Sequence, residues 1–192
     1  MRAFLAVPAD PAWVGSVRRL VEGLAPRLPR ASWTRPESWH LTLRFLGEIS
    51  EEAADRFAAH LDAAAANVLG GDLRASGPAL LPSRGRPRVL GVDFEREGAA
   101  ETLVEAARAA EAAARAVGCD PVERPFRPHV TLARLRDPWP KPAVEEAARA
   151  VREWTFPTWR VRSMVLYRSR LDPAGAVHTP VREWLAVAEA RA

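Results

Sequence analysis

A single cysteine, Cys119, in a chain of 192 residues excludes an intrachain disulfide and a thiolate zinc cluster, so packing must hold the fold. Lysine is equally scarce. Lys141 is the only one, and it lies among prolines in Pro138-Trp139-Pro140-Lys141-Pro142, a poor place for a covalent nucleotidyl-lysine, which disfavours an ATP-dependent ligase. The chain also lacks a G-x-x-x-x-G-K-[ST] phosphate loop, a G-x-S-x-G nucleophile elbow, and the H-E-x-x-H, C-x-x-C, His-Asp or clustered carboxylate patterns that seat catalytic metals. No stretch approaches the roughly 20 apolar residues of a membrane span. The apolar opening Met1–Val7 stops at Pro8, too short for a secretory signal and suited to a first strand. These lacks lead us to expect a cytoplasmic monomer with no metal, no cofactor, no membrane and no obligate protein partner.

What is present is one domain's worth of chain, residues 1–192, with an ordinary apolar fraction. The net charge is only +4, yet the pI is about 10.4, because nearly every base is arginine. Arginine's planar fork suits bidentate contacts with phosphate. Arg84, Arg86 and Arg88 cluster in a Pro/Gly-rich turn, Arg124 and Arg127 precede a histidine, and Arg160, Arg162, Arg168 and Arg170 flank a strand-like run. Together they are a candidate basic rim for a polyanion, although for any one of them a solvated face is the plainer reading.

Two of the four histidines open one repeated phrase: His40-Leu41-Thr42-Leu43 and His129-Val130-Thr131-Leu132. Period-two alternation puts the histidine and threonine of each copy on one face of a strand and the aliphatics on the other. An imidazole exchanges a proton near neutrality, and a threonine hydroxyl donates to a phosphate oxygen. Two such pairs on opposite walls of a cleft suit hydrolysis of a cyclic phosphodiester. One histidine takes a proton from water, the other gives one to the leaving ribose oxygen, and Thr42 and Thr131 hold the non-bridging oxygens. The residues alone leave acid and base unassigned. Strict alternation puts Arg44 on the face of His40 and Thr42, a candidate substrate contact, and sends Phe45 to the core. Arg134 falls opposite His129 unless the strand twists or bulges, and Arg127 could reach back from its loop; both are candidate substrate contacts. His178, directly before Thr179, is a candidate for the cleft rim, although a surface position is the plainer reading. His60 reads as a surface or packing residue, and the tryptophans, including Trp33, Trp39 and Trp184, as packing.

The pattern of elements reads as strand Arg2–Val7, helix Pro11–Arg27, strand Trp39–Leu46 ended by Gly47, one helix from Ser50 to Asn67, and strands Asp72–Ser76 and Arg88–Phe94. Helix Glu97–Val117, strand His129–Leu135, helix Pro142–Glu153 and strands Thr158–Ser169 and Val177–Val187 follow, the last two joined by the turn Asp172-Pro173-Ala174-Gly175. The duplicated strand predicts an α+β, bilobal fold. Two pseudo-symmetric, mostly antiparallel sheets flanked by helices would enclose a central cleft, one lobe carrying His40-x-Thr42 and the other His129-x-Thr131.

The phrases Trp39–Gly47 and Arg124–Arg134 resemble those of the 2H phosphoesterase superfamily, as do Arg2–Val7, Arg86–Leu90 and Val165–Leu171. Within it the likeness is to bacterial and archaeal RNA 2′,3′-cyclic phosphodiesterases, historically called 2′-5′ RNA ligases. The resemblance implies the bilobal LigT-like fold and metal-independent hydrolysis of RNA 2′,3′-cyclic phosphate ends to a 2′-phosphate. It implies His40 as general acid on the leaving 3′ oxygen, His129 as general base on water, and Thr42 and Thr131 as phosphate ligands. The partners implied are RNA with cyclic phosphate ends or small cyclic nucleotides. His178 departs from the aromatic residue that members often carry after the corresponding turn. The rival expectations are a 2′-5′ oligonucleotide phosphodiesterase or ATP-independent 2′-5′ RNA ligase using the same site, and a non-catalytic RNA-binding module.

Overall fold

The computed structural model describes residues 1–123, 125–172 and 175–186. In chain order the elements are β1 (Arg2–Pro8), α1 (Pro11–Leu24), β2 (Ser32–Trp33), β3 (His40–Glu48), α2 (Glu51–Ala59), α3 (Asp62–Val68), β4 (Asp72–Leu73) and β5 (Ala75–Leu81). They continue as β6 (Val89–Phe94), α4 (Ala99–Ala116), β7 (His129–Arg134), α5 (Lys141–Glu153), β8 (Trp159–Arg160), β9 (Ser163–Asp172) and β10 (Gly175–Leu185). Local chemistry sets several boundaries. The Asp10 carboxylate accepts from Ala12 N at 2.9 Å with Pro11 at the first helical position of α1, and the Ser50 hydroxyl accepts from Ala53 N at 3.1 Å at the start of α2.

The expected single helix from Ser50 to Asn67 is two. Amides of His60 and Leu61 bond the carbonyls of Phe57 and Ala58, tightening the chain into a turn that carries Leu61 into the core, fully buried. Strand β3 also runs past Gly47, whose φ of 72° marks the bend, and the expected strand Asp72–Ser76 divides into β4 and the longer β5. Of the last expected elements, Val187 and the turn residues Pro173 and Ala174 lie outside the described residues, as does Arg124.

One antiparallel sheet dominates, in the order β10-β9-β1-β3-β7-β6-β5, with β2 also pairing the end of β7 and β4–β8 forming a separate small ladder. The helices cover one face, where Leu41, Leu43, Val130 and Leu132 join a core containing Trp13, Trp39 and Trp159. Trp13 is fully buried, its ring centroid 5.2 Å from that of Trp159 and 6.2 Å from that of Trp39. Trp184 is buried too, its indole N–H donating to Asp62 at 2.7 Å. Among the described residues no helix covers the other face, which bears His40, Thr42, His129 and Thr131. Prolines lie in both outermost strands, Pro78 in β5 and Pro180 in β10, and blunt the edges against further pairing.

The elements repeat. Starts at Arg2 and Val89, Pro11 and Ala99, His40 and His129, and Ala75 and Ser163 are each 87 to 89 residues apart. The halves are nevertheless interleaved. β5 pairs with β6 of the second half, and β9 returns to pair with β1 of the first, so each half-sheet takes its third strand from the other half of the chain. Among the described residues no helix is long and apolar enough to cross a membrane.

Candidate active site

The two half-sheets meet at one register pair, Leu41 opposite Val130. Antiparallel pairing then sets His40 across from Thr131 and Thr42 across from His129, all four on the uncovered face. The histidines occupy one diagonal of this square, a separation of about 7–8 Å in a regular ladder. All four side chains are half-buried, while Leu41, Leu43, Val130 and Leu132 between them are buried.

Both imidazoles are fixed in the same way. His40 Nδ1 lies 2.7 Å from the Ser38 carbonyl and His129 Nδ1 lies 2.8 Å from the Arg127 carbonyl, each two residues back along the chain. A carbonyl can only accept, so Nδ1 must be the protonated nitrogen, and Nε2 is left as the atom free to exchange a proton. Neither threonine hydroxyl has a protein hydrogen-bond partner among the described residues, so both are available to an anion. Small residues open room beside them: Ala6 lies opposite Thr42, and Gly91 opposite Thr131.

The two walls differ in chemistry. Around His40 stand aromatic rings, with Phe4 at 4.9 Å and Tyr167 at 6.5 Å between centroids and His178 edge-on at 5.5 Å. Burial lowers the pKa of His40 to about 4, against an upward pull from its bond to the Ser38 carbonyl, with His178, Arg134 and His129 each adding a lesser downward push. Burial also lowers that of His178, whose Nδ1 is buried without a hydrogen-bond partner. His129 instead lies opposite Asp93, whose carboxylate accepts from Arg127 Nε at 3.0 Å and again from Arg127 Nη2. Arg127 therefore does not reach freely into the cleft: a forked bond holds it to Asp93, while its own carbonyl orients His129.

Strict alternation fails after each phrase. The registers slip between Leu5 and Ala6 on β1 and between Leu90 and Gly91 on β6, so Leu43 and Leu132 are inserted residues and the strands reverse facing beyond them. Arg44 is consequently turned away from the site. It is 8% exposed, its Nε 2.7 Å from Glu111 Oε2, with its other nitrogens donating to the Phe45 and Asp120 carbonyls. Phe45, expected in the core, is 56% exposed on the cleft face, 5.8 Å from the Phe4 ring. Arg134 is brought to the cleft face, close enough to act on the charge of His40.

His178 joins the His40 wall through β10–β9 pairing, opposite Ser169, while His60 is exposed at the end of α2. The expected rim of Arg160, Arg162 and Arg168 is not a free cationic surface, because these residues pair with Asp72, Asp10 and Glu51 at 3.2, 2.9 and 2.6 Å. Phe4, Tyr167 and Asp93 were not anticipated. Asp93 had a visible signal, as the one charge in the otherwise apolar β6; Phe4 and Tyr167 had none.

A helix-backed antiparallel sheet whose centre carries two facing His-x-Thr pairs defines a phosphoesterase of the two-histidine class. The LigT like Phosphoesterase family model matches residues 7–91 and 94–178, one phrase within each stretch, and the chain belongs to that family. It is 34% identical over 174 residues to the RNA 2′,3′-cyclic phosphodiesterase of Thermus thermophilus, covering 86% of this chain and 81% of that one. Identity to the RNA 2′,3′-cyclic phosphodiesterase of Methanothermobacter thermautotrophicus is 28% over 184 residues, 93% of this chain and 95% of the other. Among solved structures it is similar to TT0787 of Thermus thermophilus, with a TM-score of 0.76 and 29% identity over 96% of this chain and 97% of that one.

Proposed function

We propose that the chain is a single-domain, two-lobed enzyme that hydrolyses RNA 2′,3′-cyclic phosphate ends to a 2′-phosphate without a metal ion, as a cytoplasmic monomer. The observation that carries the reading is the pair of imidazoles, each held through Nδ1 by a backbone carbonyl and each set across from a threonine on the neighbouring strand. Its family membership and relatives support the same activity.

In the reaction, a water oxygen attacks phosphorus in line while its proton passes to His129 Nε2. The bond from phosphorus to O3′ breaks, and His40 Nε2 gives its proton to that oxygen. Thr42 and Thr131 donate to the non-bridging oxygens, where negative charge grows. Arg134 adds positive charge, and the exposed Phe45 offers a flat apolar face to a base. His40 is neutral at pH 7 in the free protein, so the negative phosphodiester between the imidazoles is the charge that favours its protonated form.

The test is hydrolysis of an oligonucleotide ending in a 2′,3′-cyclic phosphate, with chromatographic identification of the product. Activity should survive EDTA, yield the 2′-phosphate, and fall by roughly 10²- to 10⁴-fold in His40→Ala and in His129→Ala. Full activity in the double variant overturns the reading.

A further inference from the structure

Several surface arginines are neutralised by acids: Arg160 by Asp72, Arg162 by Asp10, Arg168 by Glu51 and Arg182 by Asp62. One region differs. Arg84, Arg86 and Arg88 lie in the exposed turn between β5 and β6, with Gly85 at a φ of 82°. The turn is tied to the end of β7, where Leu135 N donates to the Arg88 carbonyl at 2.9 Å and Arg88 N to the Leu81 carbonyl at 2.7 Å. Val89, directly after the turn, pairs with Arg134, which reaches the cleft beside His40. Arg136 follows, exposed, its Nε donating to Ser32 Oγ at 3.2 Å on β2. None of these five arginines has a carboxylate within ion-pair reach among the described residues. Gathering unpaired cations on one sheet end raises their mutual repulsion, and a bound polyanion relieves it.

We propose that Arg84, Arg86, Arg88 and Arg136 form a track for the phosphate backbone of the RNA strand that continues from the cyclic end, entering the cleft past Arg134. This rests on the hydrolase reading above and adds a direction: the RNA leaves the site on the side of the β5–β6 turn. It also adds a preference. A cyclic mononucleotide reaches the histidines and threonines without touching the track, whereas an oligonucleotide engages it through several phosphates. That engagement releases counterions, so it weakens steeply with salt. Contacts to phosphate carry no sequence information, so the gain is independent of sequence.

The experiment compares a ten-nucleotide RNA ending in a 2′,3′-cyclic phosphate with a 2′,3′-cyclic mononucleotide, each over a range of salt, in the full chain and in Arg84→Gln/Arg86→Gln/Arg88→Gln. The three positions are exposed, and melting of the variant is measured alongside. For the full chain, kcat/KM is expected to be at least tenfold higher for the oligonucleotide at low salt, and to fall with salt for that substrate only. The variant should keep mononucleotide hydrolysis within twofold while losing about tenfold on the oligonucleotide. Its log–log salt slope should become shallower by about 0.7 for each phosphate that the altered track no longer neutralises, the value for single strands. Equal loss on both substrates, or an unchanged oligonucleotide rate and salt slope, overturns the track. Histidine-dependent mononucleotide hydrolysis with no oligonucleotide preference also overturns it while leaving the hydrolase reading intact. Failure on both substrates by the full chain sinks the hydrolase reading itself.

Discussion

His40 carries the sharpest consequence at the level of single residues, because its imidazole is enclosed by Phe4, Tyr167 and His178 and faces Arg134 and His129 across the cleft. Its pKa falls from an ordinary 6.5 to about 4, mainly through burial. Below pH 6.5 the unfolded chain binds a proton on this ring that the folded chain refuses. Stability from this group therefore declines as pH drops from about 6.5 to about 4, by as much as about 3 kcal/mol, and levels off below. Replacing His178 with alanine removes a ring that excludes water and a cation that opposes the charge on His40. Both changes act upward, so NMR titration of the His40 ring should show a higher midpoint in His178→Ala than in the parent. An ordinary midpoint in both proteins would rule this account out. That His40, Thr42, His129 and Thr131 come together on one face was legible because a chemically suited phrase occurs twice in a chain with four histidines. His178 was legible as a candidate for the rim, since a strong turn signal returns the last strand along its neighbour, but its edge-on contact with His40 was not, because that depends on the register of β10 on β9 and of β9 on β1.

At the level of elements, two bulges decide which side chains the site contains. Alternation describes both strands through His-x-Thr, then one inserted residue in each reverses the facing, burying Arg44 and Ala133 and turning Phe45 and Arg134 to the cleft. An insertion of one residue alters neither composition nor hydrophobicity enough to be read from sequence, and so Arg44 looked like a substrate contact when it is an internal tie to Glu111. The helix break at Leu61 was hidden for a similar reason, because an alanine-rich run continues in propensity across it. The second bulge depends on Gly91. A Cβ there would lie 2.3 Å from the Val130 carbonyl oxygen, which is backbone and cannot rotate away. On β1 the equivalent place opposite Thr42 is already an alanine, Ala6. Gly91→Ala should therefore force β6 away from β7, destabilise the protein by about 1–3 kcal/mol as overpacking does, and lower kcat by displacing Thr131. Gly15→Ala, in α1 with nothing within 4 Å of the new carbon, is the contrasting substitution and should preserve kcat. Denaturant unfolding and single-substrate kinetics on the two variants check this, and wild-type stability in Gly91→Ala would contradict it.

Over the whole molecule, the repeat governs how the chain holds together. Two copies of a strand–helix–strand–helix–strand unit were partly visible as two His-x-Thr strands of similar setting, but the partners of their outer strands were not, because pairing between residues far apart in sequence leaves no local pattern. Had each half kept its own third strand, the chain would be two small domains meeting at one narrow seam between β3 and β7. The exchange removes that possibility. β5 has its partner β6 in the second half, and β9 pairs with β1 in the first, so separating the halves strands both outer elements and leaves the backbones of β1 and β6 unpaired on one side. The core is shared as well, with Trp13 of α1 packed against Trp159 of β8 and Phe94 of β6. Unfolding should then be one cooperative event, with the calorimetric enthalpy equal to the van't Hoff enthalpy. A cut after Arg84, in the exposed turn between β5 and β6, gives a sharper test. Residues 1–84 and 85–192 produced apart should lack a cooperative melt and the hydrolase activity, whereas the two produced together should reassemble across the exchanged strands and regain both. Two separable transitions in the uncut chain, or a half that melts cooperatively alone, would show that the lobes hold themselves up and that the interleaving contributes little.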